Sequence, residues 1–284
     1  TRTDEREQMH PILIQLGPIT LHSYGVLVAS GILLALWLAR RQAPRMGLDA
    51  DDVWNLGIYM VLAGLVGAKL WYVLENAGYY AQNPRALFTM DTLQAAGVWY
   101  GGFLSALVVA ALYVRKAKFG FLPLVDTLAA PLALGHGLGR LGCFSAGCCW
   151  GKPTTVGWGV TFTSEYAAQT VGVPLGTALH PTQLYEFTTE MIVFTILLWL
   201  GTRRKFPGQL FAFYLMWYGV ARGSIEFFRG DPGRTQLFGT EYSLMQVVSI
   251  GLILLGAFLW RMGAKRPLTP AAAPAPARAA AKRA

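Results

Sequence analysis

Seven separate apolar stretches, most about twenty residues long and each bounded by charges or turn residues, dominate this sequence. Roughly twenty apolar residues in helical form cross ~30 Å of hydrocarbon. The stretches run approximately 19–39, 53–76, 97–114, 121–144, 183–201, 208–228 and 242–261. A single soluble core cannot absorb so many. The composition agrees: 54% of the 284 residues are hydrophobic and 14% charged, against about a quarter charged in soluble domains. The expectation is an all-α integral membrane protein with seven transmembrane helices. Pro131 and a run of glycines interrupt the fourth, and a structured loop region follows at about 145–182. Disordered, collagen-like, disulfide-rich secreted and soluble nucleic-acid-binding classes are excluded.

The basic residues set the orientation. Fifteen lysines and arginines, among them Arg40, Arg41, Arg45, Arg115, Lys116, Lys118, Arg203, Arg204 and Lys205, fall on one side of the spans. Six fall on the other, including Arg85, Lys152, Arg229 and Arg234. The positive-inside rule then places the N-terminus outside and the C-terminus in the cytoplasm. The net charge of +9 is an orientation signal rather than a nucleic-acid footprint. Residues 1–8 are read as a flexible extension with no signal peptide, 9–262 as one seven-helix domain, and 263–284 as a disordered basic tail.

Polar side chains inside the spans gather at one depth. His22, Tyr24, Lys69, Tyr72, Glu75, Tyr100, His136, Arg140, Glu186, Glu190, Tyr218, Arg222, Glu226 and Gln246 all map to the outer half, with His180 just outside; Asp126 lies at the inner end. His136 and Arg140 are one helical turn apart, as are Glu186 and Glu190, while Tyr218, Arg222 and Glu226 form one stripe. Lipid cannot solvate such groups, so they face the bundle interior or a wet cavity. Interhelical pairs that merely hold the bundle would explain any one of them. A common depth across the helices favours a polar cavity at headgroup level. Arginine forks pair bidentately with phosphate, so Arg140 and Arg222 suggest a phospholipid headgroup.

The glycine run around Arg140 matches G-x-G-x-x-G at Gly137, Gly139 and Gly142. No strand precedes it, so a dinucleotide site is rejected. The three cysteines lie together at Cys143, Cys148 and Cys149. Close-packed small residues or a disulfide from Cys143 are the expected readings, with a catalytic thiol a further option. C-x4-CC is not a familiar zinc spacing, so no metal is expected.

Three blocks resemble the prolipoprotein diacylglyceryl transferase family: His180-Pro-Thr-Gln-Leu-Tyr-Glu186, Gly139-Arg-Leu-Gly142 with Phe144, Gly147 and Gly151, and the segment from Tyr218 to Arg229. Weaker likeness covers about 9–262, from His10-Pro11 through Tyr24-Gly25 to Gly101-Gly102. The resemblance implies a multi-pass enzyme of the bacterial cytoplasmic membrane whose site faces the outer leaflet. Such an enzyme transfers diacylglycerol from phosphatidylglycerol to the lipobox cysteine of prolipoprotein signal peptides, forming a thioether and releasing glycerol 1-phosphate. No cofactor and no metal are implied. Arg140 and Arg222 would hold the phosphate. The shared depth of His180 and an arginine-perturbed Tyr100 makes one of them the expected base for the thiol. Tyr24, Gly139, Gly142, Gln183, Tyr185, Tyr218 and Glu226 would line the substrate cavity. The chain departs from the family pattern at Tyr100, where a histidine is usual, and at Cys143 and Cys148, where asparagine and glutamate are usual. A divergent relative with another acceptor or donor is the nearest alternative. A retinal receptor would need a lysine in the last span, which has none, and a transporter would place polar groups at both depths.

Overall fold

The computed structural model describes residues 11–16, 19–89, 92, 97–117, 119–232, 242–266 and 268. The extension 1–8, His10, Lys118, Arg234 and the tail residues Arg278, Lys282 and Arg283 lie outside the described residues. The chain opens with an antiparallel pair, β1 (Ile12–Leu16) and β2 (Ile19–His22), with Leu16 opposite Ile19. Residues 19–22, assigned to the first span from hydropathy, are therefore strand. Their apolar side chains alternate with polar ones, a pattern that an average over a long window hides.

Among the described residues seven long helices follow, with two short ones between them. They are α1 (Ser23–Gln42), α2 (Ala50–Glu75), α3 (Ala77–Gln82), α4 (Trp99–Ala117), α5 (Phe121–Ala146), α6 (Glu165–Val171), α7 (Thr182–Gly201), α8 (Gln209–Glu226) and α9 (Leu244–Ala264). The last runs a little past the span expected to end at 261. Among the described residues five helices are long and apolar enough to cross a membrane: α1 with its 3-10 extension to Met46, α2, α5, α7 and α9. Of the other two, α4 carries Arg115 and Lys116, and α8 carries Gln209, Arg222 and Glu226, which lower their hydropathy. This is a mostly helical, multi-pass membrane protein.

The helix ends are specified locally. Asp49 caps α2, accepting from the backbone N–H of Asp51 and Asp52 at 2.9 Å, and acidic residues in that first turn favour the helix dipole. Ser243 and Gln246 form a reciprocal capping box at α9. The Gln246 side-chain oxygen thus serves as a helix cap.

The central element is α5. It packs on α1, α7 and α8, while α4 packs on α2 and α9 on α8. In its apolar window 44% of residues are buried, against 11–22% in the other four spans. Small residues allow this. Ala129, Ala130 and Ala133 admit Val193 and Leu197 of α7 and Leu210 and Tyr214 of α8. The α1 backbone comes so close at Gly31 that an added Cβ would meet the Gly135 carbonyl at 3.1 Å. The helix runs unbroken through buried Pro131, a residue that neighbouring helices make tolerable inside membranes. Conversely, α2, α4 and α9 expose Leu65, Val66, Leu107, Val108, Ile250 and Leu254, faces suited to hydrocarbon.

Residues 147–181 build a small layer over one end of the bundle. Strands β3 (Val160–Thr161) and β4 (Ala178–Leu179) pair antiparallel, and Trp150, Phe162, Ala167, Val173 and Leu179 form its core. At the opposite end Asp126, 0% exposed, accepts from the backbone N–H of Gly208 at 2.7 Å and Phe211 at 3.1 Å and pairs with Arg204. A carboxylate from α5 therefore caps the start of α8.

Candidate active site

Three helix ends converge beneath the 147–181 layer: the C-terminal ends of α5 and α8 and the N-terminal end of α7. The spacing of four brings His136 and Arg140 onto one face of α5, opposite Glu186 and Glu190 of α7. Arg140 Nε lies 2.8 Å from Glu186 Oε2 and donates to His136 Nε2 at 3.2 Å. With Nε2 accepting from Arg140, Nδ1 is left to donate to Glu190, 3.0 Å away. Tyr214 donates to the other Glu190 oxygen at 3.4 Å. The Tyr218 ring lies 5.4 Å from His136, and its hydroxyl is within electrostatic reach of Arg140, Arg222, Glu186 and Glu190. Arg222 donates through Nη1 to Glu226, the next turn of α8. Glu186, Glu190, Arg222 and Glu226 are all buried.

Such burial is sustained only by mutual pairing. The arginines are nevertheless not exhausted by it. Arg140 meets its partners through Nε, and its two terminal nitrogens take no part in these contacts. Arg222 uses Nη1 toward Glu226. Among the described residues each thus keeps guanidinium nitrogens outside these pairings, available to an anion.

Arg229, treated in the sequence as a loop charge, belongs to this cluster. It is 7% exposed, approaches Glu186 at 3.5 Å and forks onto Asp231 at 2.7 and 2.8 Å. Burial works against its charge, but Asp231, Cys149 and Glu186 more than offset this and hold it above the ordinary guanidinium range. Its spacing of three from Glu226 and its nearness to Asp231 were the available signals. Two backbone bonds place it: Lys152 donates to the Phe228 carbonyl at 2.7 Å and Gly230 to that of Trp150 at 3.1 Å. A Cβ on Gly151 would meet His180 Cβ and its carbonyl at 2.5 Å and the Phe228 carbonyl at 2.8 Å, so only glycine lets these three segments close together.

The other expected residues divide. Tyr24 of α1 lies against Gly142, whose added Cβ would meet its ring at 3.2 Å, and is within electrostatic reach of Arg140 and the cysteines. Around Gly139 a Cβ would meet nothing within 4 Å, so space opens beside Arg140. Gln183 is fully buried and donates to the Cys148 carbonyl at 2.6 Å. His180 Nδ1 lies 3.0 Å from the Tyr185 hydroxyl, which also accepts from Trp158, and its ring packs 5.1 Å from Phe228. Among the described residues no hydrogen bond or ion pair joins His180 or Tyr185 to Arg140 or Arg222. Tyr100 stands on α4, the helix packed on α2, and is 55% exposed. Lys69 donates to the Thr92 carbonyl at 2.8 Å and faces Tyr72, and Glu75 accepts from Trp71.

All three cysteines are free thiols, not a disulfide. Cys143 lies in the last turn of α5, Gly147 reverses the chain with φ 74°, and Cys149 turns it again with φ 63°. Their sulfurs lie within 4.8 Å of one another. The close Cys143 and Cys148 sulfurs, with the charges of Arg229 and Arg140, hold the Cys149 thiol well below its ordinary range. Its neighbour Cys148, crowded by the other two sulfurs, is pushed up.

The model of the prolipoprotein diacylglyceryl transferase family matches residues 11–262. The phosphatidylglycerol–prolipoprotein diacylglyceryl transferase of Clostridium tetani is 33% identical over 89% of this chain and 98% of its own length. That of Bordetella parapertussis is 33% identical over 92% and 97%, and that of Francisella tularensis subsp. mediasiatica 34% identical over 88% and 92%. With its buried arginine–carboxylate cluster at the junction of α5, α7 and α8, the chain belongs to the prolipoprotein diacylglyceryl transferase family.

Proposed function

We propose that this protein transfers the diacylglyceryl group of phosphatidylglycerol to the lipobox cysteine of prolipoproteins, the step that begins lipoprotein maturation. The relatives' names supply the substrates, phosphatidylglycerol and prolipoprotein. The observation that carries the reading is the paired cluster in which Arg140 and Arg222 keep guanidinium nitrogens for a phosphate while buried carboxylates fix their forks. Held there, the phosphate oxygen that leaves as the C–O bond breaks gains charge opposite two cations, the arrangement that lowers such a barrier. Gly139 leaves room beside Arg140 for the headgroup, and Tyr24 and Tyr218 flank it.

In this reading α4 and α8 cross the bacterial cytoplasmic membrane with the five more apolar spans, making seven. The N-terminus lies outside and the 147–181 layer covers a site at the outer leaflet. Three cation–π contacts, Arg40 on Trp54, Arg41 on Trp37 and Arg203 on Trp199, support this. All lie at the other end of the bundle, as interfacial anchors on the basic, cytoplasmic side do.

The test uses purified protein, phosphatidylglycerol vesicles and a lipobox peptide with one cysteine. Mass spectrometry is expected to find the diacylglyceryl thioether and free glycerol phosphate, both absent with a Cys→Ser peptide. No adduct, with the same vesicles and peptide active for a histidine-containing relative, would refute the reading.

A further inference from the structure

The three cysteines form a built arrangement rather than a chance grouping. Three sulfurs each about 2.3 Å from one ion lie roughly 4 Å apart. The Cys143, Cys148 and Cys149 sulfurs, within 4.8 Å of one another, reach that geometry with small side-chain shifts. Two features of the backbone put them there. The left-handed Gly147 brings Cys148 back over Cys143, so that its thiol and its N–H both meet the Cys143 carbonyl, at 3.6 and 3.1 Å. Cys149 then adopts a left-handed conformation that costs a non-glycine residue about 1 kcal/mol or more. Buried side chains of α7 hold the turn: Gln183 on the Cys148 carbonyl at 2.6 Å and Thr182 on the Cys149 carbonyl at 2.7 Å.

A disulfide would use two of these sulfurs and leave the third; an ion uses all three. Three thiolates select soft, thiophilic cations of the zinc and copper(I) class. With a dication they leave one net negative charge, and Arg140 and Arg229 are close enough for their charges to act on Cys149. Among the described residues no histidine or carboxylate completes the group. Three protein ligands and an open fourth position is the form zinc takes where it handles a substrate.

We propose that Cys143, Cys148 and Cys149 bind one zinc-class ion whose fourth position takes the incoming lipobox thiol as a thiolate. The role of the fourth position rests on the transferase reading; the ion site does not. A coordinated thiol is deprotonated outright, and its proton passes to solvent as it binds. The sulfur pair then attacks the glyceryl carbon bonded to the phosphate oxygen. The C–S bond forms, the C–O bond breaks, and the electron pair leaves with glycerol phosphate. The site thereby does the work expected of Tyr100 or His180; His180 Nδ1 is engaged with the Tyr185 hydroxyl instead.

The test titrates the reduced, purified full chain in detergent with Cd2+, a spectroscopic probe for zinc sites. One ion per chain is expected, with an ultraviolet thiolate-to-metal absorption scaled to three sulfurs and protection of all three cysteines from alkylation in the unmutated protein. Cys143→Ser, Cys148→Ser and Cys149→Ser are each expected to weaken binding at least tenfold. Adding the lipobox peptide is expected to raise the absorption by about a third, and its Cys→Ser version to leave it unchanged. No stoichiometric binding, or alkylation unaffected by Cd2+, overturns the site. An absorption unmoved by the cysteine peptide overturns the fourth-ligand role, as does unchanged thioether formation by chelator-treated protein that Tyr100→Phe or His180→Ala abolishes. Absence of thioether at every metal content sinks the transferase reading instead and leaves the ion titration standing.

Discussion

Arg140 and Arg222 are each anchored by a carboxylate and each keep nitrogens for a ligand, and this division of a single side chain shapes what substitution does. Arg140→Ala and Arg222→Ala are expected to lower transfer by a hundredfold or more, the scale seen when a preorganised charge stabiliser is removed. Arg140→Lys is expected to fare little better, because an ammonium cannot meet Glu186 and a phosphate with separate, fixed forks. Rates with the vesicle and peptide assay, alongside the yield of detergent-stable protein, check both; near-normal turnover in either alanine variant removes that arginine from the phosphate. The two neighbouring glycines separate space from packing. Gly139→Val fills open volume beside Arg140 and is expected to raise the KM for lipid while leaving the unfolding temperature unchanged. Gly142→Val drives a side chain into Tyr24 and is expected to lower the unfolding temperature, at a cost of about 1–3 kcal/mol.

At the level of elements, hydropathy located every long helix to within a few residues, because runs of Leu, Val and Ala bounded by charge leave little choice. What it obscured was short or local. Ile19–His22 merged into the first span because a strand of four apolar and polar residues adds smoothly to the helix behind it. Gln246 drew notice only for its depth, although Ser243-x-x-Gln246 is a legible capping box. Arg229 lies three residues beyond α8, and only the pairing of residues 150–152 with 228–230 brings it to Glu186. No pattern along the chain encodes that pairing. The cysteines show the same division: their clustering in sequence was plain, but convergence of three sulfurs required two left-handed turns in succession. Between elements, Asp126→Ala is expected to destabilise the protein by about 3–5 kcal/mol, since it strands Arg204 and two N–H groups of α8. Asp126→Asn, able to accept from the same N–H groups, is expected to lose less. Denaturant titration in micelles reads both, and equal losses would locate the effect outside the cap.

For the whole molecule, the two ends of the bundle differ in chemistry, one with basic residues stacked on tryptophans, the other with a paired ionic cluster under a folded layer. Single cysteines introduced at Thr202 and at Gly157, in a chain whose native cysteines are replaced by serine, are expected to react with an impermeant maleimide only at the second position in intact cells. The reverse pattern overturns the proposed orientation. Asp126 also has a bearing on how such a chain is assembled. It is synthesised 82 and 85 residues before the two N–H groups it serves. While the ribosome is still making α7, the cap is unfinished. On the proposed topology Asp126 waits at the cytoplasmic surface, where water can hold its charge until α8 arrives. The carboxylate then becomes a late checkpoint of insertion: α8 gains its starting cap only if α5 has already settled at the right height.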